Sequence, residues 1–106
     1  MVDGLRFDSQ KEAHRYQELT LLQAAGVIRG LVVHPRYELQ PAFMREGVKY
    51  RAVVYEGDFE YVDCENGLEQ RTCEDVKSPA THTALFEVKR KLFLFRFPGI
   101  ALRIVE

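Results

Sequence analysis

Asp58, Asp75 and Lys77 are the residues whose types and spacing most directly suggest chemistry. They flank Asn66-Gly67, a dipeptide that predicts a two-residue type I′ turn between antiparallel strands. With that turn, residues whose numbers add up to 133 face one another. Asp58 then lies opposite Asp75. By the same count, Glu56 lies opposite Lys77.

The predicted Asp58/Asp75 pair is of the non-hydrogen-bonded kind, in which Cβ atoms lie roughly 4.5–5.5 Å apart. Two carboxylates at that distance repel each other unless positive charge lies between them, and a divalent cation is the simplest such charge. Asp58, Asp75 and the backbone carbonyl of Val76 would hold Mg²⁺ or Mn²⁺. Lys77 would stabilise charge on a phosphate or position the attacking water. An acidic residue followed after a gap by (D/E)-x-K is typical of metal-dependent nucleases.

Simpler interpretations of these residues stay open from the sequence. Asp58 also fits the solvent face of a strand, and Asp75 with Lys77 fits an exposed ion pair. Glu12 fits a capping box begun by Ser9, or a side chain directed across the sheet at the metal. No metal-ligand spacing joins the three histidines, His14, His34 and His82.

The elements that position these residues form a single α/β (α+β) domain over residues 1–106. The pattern predicts a helix, a connector, three extended runs, a second helix and a last strand, at 9–25, 27–34, 36–43, 48–63, 68–77, 81–95 and 100–105. Ser78-Pro79 ends the third run because proline cannot donate to a strand ladder. The order is therefore α-β-β-β-α-β, a small mixed sheet flanked by helices, with the last strand added in parallel.

The charge, the cysteine content and the absence of certain motifs argue against several classes of function. The net charge of −1 and the pI near 6.3 disfavour general nucleic-acid binding, although Lys89, Arg90 and Lys91 form a local basic cluster suited to DNA. Cys64 and Cys73 are expected to be free thiols in a reducing cytoplasm. Neither a signal peptide nor a membrane segment is predicted. Gly-rich phosphate loops, serine elbows and dinucleotide fingerprints are absent from the sequence.

Several blocks of the sequence resemble a family of small phage and prophage proteins. The matching blocks are F-D-S-Q-K-E-A-H-R-Y-Q-E-L, L-Q-P-A-F, D-F-E-Y, E-D-V-K and K-R-K-L-F, at 7–19, 39–43, 58–61, 74–77 and 89–93. That family is placed in the PD-(D/E)XK nuclease superfamily, beside Holliday-junction resolvases and phage endonuclease I. The resemblance covers nearly the whole chain and implies the α-β-β-β-α-β core of that superfamily.

The resemblance also implies a role for each site residue. Asp58 would be the first metal ligand, Asp75 the second, and Lys77 the catalytic lysine. Glu12 would be the first-helix glutamate that assists the metal, which favours this interpretation over capping alone. The chain departs from the common pattern in having Gly57 rather than proline before the first aspartate, and aspartate rather than glutamate in the triplet.

The resulting expectation is a Mg²⁺-dependent endodeoxyribonuclease that hydrolyses DNA phosphodiester bonds, on branched, Holliday-junction-like DNA in phage recombination or packaging. It would act in the cytoplasm of a bacterial host. A homodimer is expected, because resolvases of this superfamily usually act as dimers and 106 residues offer little surface for grasping a junction. The alternative is a non-catalytic DNA- or protein-binding module on a nuclease fold.

Overall fold

The computed structural model describes residues 2–7, 9–77 and 82–106. The elements, in chain order, are α1 Gln10–Ala24, β1 Ile28–Val33, β2 Arg36–Gln40, β3 Phe43–Arg45, β4 Val48–Tyr50, β5 Val53–Glu56, β6 Phe59–Asp63, β7 Gln70–Val76, α2 Ala84–Arg96 and β8 Ala101–Val105. None of the helices so described is both long enough and apolar enough to cross a membrane.

The main sheet has the strand order β1-β6-β7-β8. β6 is antiparallel to β1 and to β7, whereas β8 is parallel to β7. The expected parallel last strand is confirmed, since α2 gives the chain the crossover that a parallel connection needs. One cluster of buried side chains joins α1 to β1 and β6, and comprises Tyr16, Leu19, Ile28, Phe59 and Tyr61. A second joins α2 to β2, β5 and β7, and includes Tyr37, Leu39, Tyr55, Cys73, Phe86 and Phe93.

The turn and register predicted from Asn66-Gly67 are confirmed. Asn66 has φ 62° and Gly67 has φ 74°, the two positive values that a type I′ turn requires. The paired residues of β6 and β7 run from Phe59↔Glu74 to Asp63↔Gln70, so their numbers add up to 133. The expected helix at 9–25 is also confirmed, with Ser9 as its N-cap.

The expected connector at 27–34 is wrong, because this segment contains β1. Ile28 is buried and the strand pairs with β6. Its register shifts between Arg29 and Val32, and Gly30 has φ 66°. This bulge interrupts the alternation of inward and outward side chains, so the segment lacks the pattern by which a strand is recognised.

The expectation that residues 36–43 and residues 48–63 each form a single strand of one sheet is also wrong. The chain leaves the main sheet after β1 and forms a separate antiparallel ribbon (residues 36–56), in which β2 pairs with β5 and β3 pairs with β4. Glu56 accordingly lies opposite Arg36 and not opposite Lys77.

The base of the ribbon is closed by backbone hydrogen bonds. The N–H of Gly57 donates to the Pro35 carbonyl at 2.9 Å, and the N–H of His34 donates to the Asp58 carbonyl at 2.9 Å. A Cβ atom on Gly57 would lie 2.6 Å from Sγ of Cys73, which is fully buried. Glycine therefore allows the ribbon to rejoin the sheet in contact with β7.

Replacing Gly57 with alanine is expected to lower the free energy of unfolding by about 1–3 kcal/mol, the usual cost of overfilling a core. Urea denaturation would measure this loss. In a Cys73→Ala background, the added methyl group has space, so Gly57→Ala should cost much less there. Equal losses in the two backgrounds would contradict a clash with the sulfur.

Helix α2 begins slightly later than the expected range 81–95. Thr83 is its N-cap, and its hydroxyl accepts a hydrogen bond from the Phe86 N–H at 3.1 Å. The helix ends at Arg96, before the expected Pro98-Gly99 break. Ser78-Pro79, the expected end of the third strand, lies outside the described residues, and β7 ends at Val76.

Candidate metal centre

Glu12 reaches the main sheet from the first turn of α1. Its backbone N–H donates to the Ser9 hydroxyl at 3.1 Å, which is one half of the expected capping box. Its buried carboxylate does not complete the box: Oε1 lies 2.8 Å from Nε2 of His34. The same residue therefore helps to cap the helix through its backbone and extends its side chain towards the sheet.

Asp58 occupies the junction between the ribbon and β6. The paired residues end at Phe59↔Glu74, and beyond them Oδ2 of Asp58 accepts a hydrogen bond from the Val76 N–H at 2.6 Å. Burial raises the pKa of Asp58 to about 7, together with hydrogen bonding to Asp75 and repulsion from Asp75 and Glu12. The two aspartates thus meet as the register predicted.

Glu12, His34 and Asp58 form a potential metal-ligand cluster. One ligand atom from each residue lies within 4.8 Å of the others. His34 could not be recognised as a ligand from the sequence, because it shares no motif with the other two residues and follows β1, a strand without a recognisable pattern. Two carboxylates and an imidazole are donors that divalent cations accept in proteins.

Asp75 and Lys77 lie beside this cluster at the end of β7. Asp75 is 2% exposed and accepts a hydrogen bond from the Tyr55 hydroxyl. Nζ of Lys77 lies 3.5 Å from Oδ1 of Asp75 and 4.7 Å from the centre of the Phe86 ring. Burial, then the contact with Asp75, raises the pKa of Tyr55, so its hydroxyl stays a donor. Tyr55 is a further site residue that no motif marked.

A cavity of about 470 Å³ opens next to Asp75 and Lys77. Helix α2 and the ribbon form its walls, with contributions from Arg36, Tyr55, Glu56, Phe86 and Lys89. Its volume is in the range of small-ligand pockets. Three cations in its lining, Arg36, Lys77 and Lys89, make it suitable for a phosphate-bearing group, and Arg36 also pairs with Glu56 at 3.0 Å.

The expected basic cluster of α2 is divided by the helix. Lys89 lines the cavity described above. Arg90 and Lys91 line a separate depression of about 490 Å³ together with Glu87, and Arg90 lies 3.6 Å from that glutamate. Of the three residues expected to bind DNA, the structure therefore brings only Lys89 to the candidate site.

Glu74 holds α1 against the sheet on the opposite side of β7 from Asp75. Its carboxylate is fully buried and receives two hydrogen bonds from the Arg15 guanidinium, one of them at 3.0 Å. The Tyr61 hydroxyl donates a third at 2.6 Å. Arg15 lies one turn after Glu12, so this ion pair also fixes the part of α1 that carries the cluster glutamate.

Comparison with known proteins provides a family but no activity. No curated protein and no solved structure matches the chain significantly. One family model matches residues 1–106, and its description is "Protein of unknown function (DUF1064)". Because this match extends over the whole sequence, the chain belongs to the DUF1064 family.

Proposed function

We propose that this protein is a divalent-metal-dependent endodeoxyribonuclease. The observation that carries the proposal is the meeting of Glu12, Asp58, Asp75 and Lys77 at one end of the main sheet. The carboxylates of Glu12 and Asp58 share one cluster, the neighbouring Asp75 carboxylate helps to raise the pKa of Asp58, and Asp75 contacts Lys77. Residues far apart in the sequence thus form a continuous acidic site that ends in a lysine.

The order of elements supports a PD-(D/E)XK-like core. If the ribbon is treated as an insertion between β1 and β6, the remaining elements are α1, β1, β6, β7, α2 and β8. This is the α-β-β-β-α-β order that the resemblance implies. The site lies at the beginning of β6 and the ends of β1 and β7, where three strands of the sheet bring their residues together.

The donor set is suited to Mg²⁺ or Mn²⁺. We assign Glu12, His34 and Asp58 as direct ligands, with Asp75 and the Val76 carbonyl beside them. Carboxylate oxygens fit either cation, and the imidazole favours Mn²⁺ over Mg²⁺ because nitrogen ligands suit transition metals. When bound, such a cation supplies positive charge to the phosphate and makes a neighbouring water more acidic.

The chain's own residues orient the substrate. Lys77 holds its ammonium group at the cavity between Asp75 and the face of Phe86, so it can stabilise the charge that develops on the scissile phosphate. Tyr55 donates to Asp75 and keeps that carboxylate in place. Lys89 lines the same cavity and would bind a neighbouring phosphate.

We further propose a homodimer acting on branched DNA in the cytoplasm of a bacterial host, during phage recombination or packaging. Helix α2 exposes an apolar stripe at helical spacing, formed by Leu85, Val88, Leu92 and Phe95. Glu87 and Arg90 lie on the same helix, so two antiparallel copies would place opposite charges together.

The test compares cleavage of a labelled four-way junction and of its matched linear duplex, with Mg²⁺, with Mn²⁺ and with EDTA. The wild type should cut only with metal. Asp75→Asn should cut at least about 100-fold more slowly, since several kcal/mol of electrostatic stabilisation depend on this site. Glu38→Gln, an exposed carboxylate-to-amide change on the ribbon, is the matched control and should cut normally.

Three results would contradict these proposals. Binding of both DNAs without cleavage in either metal would favour the non-catalytic module. Equal cleavage of the junction and the duplex would refute a preference for branched DNA. A monomeric molar mass by light scattering in the same buffer would refute the homodimer.

A further inference from the structure

The outer half of the ribbon, which we call the arm (residues 41–51), extends into solvent. Each of its residues is exposed, and within the described ranges of the chain β3 pairs with β4 alone. Its large apolar side chains are nevertheless numerous: Phe43, Met44, Val48 and Tyr50 are between 43% and 61% exposed. By the register of this hairpin, Phe43, Val48 and Tyr50 share one face. Exposed apolar side chains on an element outside the described core clusters indicate a binding surface.

Phe43 and Tyr50 stack on each other on one face of the arm and form an aromatic pair that we call the platform. They are directly opposite each other, and their rings are nearly parallel, with centroids 4.8 Å apart and an angle of 11° between planes. The rings are 43% and 46% exposed, so each retains free surface beside its partner. Such a platform can stack a nucleobase whatever its identity, because every base has a π face.

The arm also carries an excess of positive charge. Arg45, Lys49 and Arg51 against Glu46 give residues 41–51 a net charge of +2, although the whole chain has −1. Among the residues that the structure describes, none of these three cations is paired with a carboxylate. Cations that are not neutralised within the protein are available to phosphates.

The arm is continuous with the candidate site. The strands that carry it, β2 and β5, contribute Arg36, Tyr55 and Glu56 to the cavity at Asp75 and Lys77. From Gln40 to Arg45 a strand rises roughly 3.3 Å per residue, so the tip lies up to about 17 Å beyond the end of β2. A nucleic-acid strand that leaves the cavity along the ribbon would reach the platform.

We propose that the arm binds unpaired nucleotides of the DNA substrate, with a base stacked on Phe43 and Tyr50 and phosphates held by Arg45, Lys49 and Arg51. The inference rests on the proposed function for the identity of the substrate. Unpaired nucleotides are favoured over intact duplex because an aromatic platform needs a base outside its helical stack, whereas a ribbon reading a major groove uses polar side chains.

The test measures binding in EDTA, where cleavage cannot interfere, by fluorescence anisotropy at several salt concentrations. The two probes are a labelled duplex and the same duplex with a short unpaired flap. The wild type should bind the flapped DNA more tightly. The double variant Phe43→Ala/Tyr50→Ala should lose about 10-fold or more in affinity for the flapped DNA and little for the duplex.

Charge variants test the phosphate contacts separately. Lys49→Gln/Arg51→Gln should weaken flap binding and lower the slope of log K against log salt by roughly 1.5. Leu68→Ala, a change at a 75% exposed residue outside the ribbon, is the control for loss of apolar surface. All variants should keep the wild-type melting temperature, since the substituted side chains are exposed.

The proposal is overturned if Phe43→Ala/Tyr50→Ala leaves the flap preference unchanged, or weakens both probes equally. It is also overturned if the arm variants change the molar mass and not the affinity, because the arm would then be a protein contact. Flap preference in a protein that never cleaves DNA would refute the nuclease and retain the arm as a binding element.

Discussion

Replacing Asp58 with asparagine is expected to abolish metal-dependent cleavage while making the metal-free protein more stable. The Asp58 carboxylate is half-buried and is repelled by those of Asp75 and Glu12. Asparagine removes that repulsion and keeps an oxygen to accept the Val76 N–H. It is a weaker ligand than a carboxylate, so cleavage should fall by at least about 100-fold.

The gain in stability should depend on pH. The pKa of Asp58 rises from an ordinary value of 3.8 to about 7, so the folded protein binds this proton more tightly than the unfolded chain. The stability that Asp58 contributes is thus complete below pH 3.8 and is lost as the pH rises through about 7. The stability of the Asp58→Asn variant should therefore exceed that of the wild type most at pH 8, and less at pH 5.

Thermal melting in EDTA at both pH values measures this effect. We expect the variant to melt at least about 4 °C above the wild type at pH 8, since 1 kcal/mol corresponds to roughly 4–8 °C in a domain of this size. Mn²⁺ should then raise the melting temperature of the wild type only. A variant less stable than the wild type at pH 8, or stabilised by Mn²⁺ to the same extent, would contradict this account of Asp58.

Replacing Arg15 with methionine is expected to lower the free energy of unfolding by about 3–5 kcal/mol, because it leaves the fully buried carboxylate of Glu74 without its cation. Arg15 and Tyr61 both donate hydrogen bonds to this carboxylate, and only the bond from the Tyr61 hydroxyl would remain. Cleavage should fall as well, since α1 would no longer be held where Glu12 meets the cluster. Chemical denaturation and the junction assay measure the two effects.

The matched control is Arg36→Met, which removes an arginine from an exposed pair with Glu56, where the side chains are 66% and 51% exposed. This substitution should lower the free energy of unfolding by no more than about 1 kcal/mol. Adding Glu74→Gln to Arg15→Met should recover part of the lost stability, because a neutral amide tolerates burial better than an unpaired charge. If Arg15→Met and Arg36→Met lower the free energy of unfolding equally, burial of Glu74 does not determine the loss of stability.

Local chemistry explains which parts of the fold the sequence could predict. Asn66-Gly67 determines its own turn through two positive φ values, and the register of β6 and β7 follows by counting from it. Ser9 and the residues after it specify the start of α1 in the same local way. The proximity of Asp58 to Asp75 was predictable because it depends on this single hairpin.

The remaining features depend on contacts between distant segments. β1 was hidden because the bulge at Gly30 breaks its alternation. The ribbon was missed because its strands have the same composition as strands of the main sheet, and local patterns do not show which strands pair. His34 and Tyr55 reach the site only through these two elements, so no spacing in the sequence could identify them.

The closed base of the ribbon makes the length of this insertion nearly independent of the site. Backbone hydrogen bonds at Pro35 and Gly57 hold its two ends together, and each doubling of an inserted loop costs only about 0.6 kcal/mol. Exchange of the outer segment for a shorter or longer one would therefore leave His34 and Asp58 in position. The architecture is modular: a solvent-exposed insert can be replaced without moving the candidate metal centre.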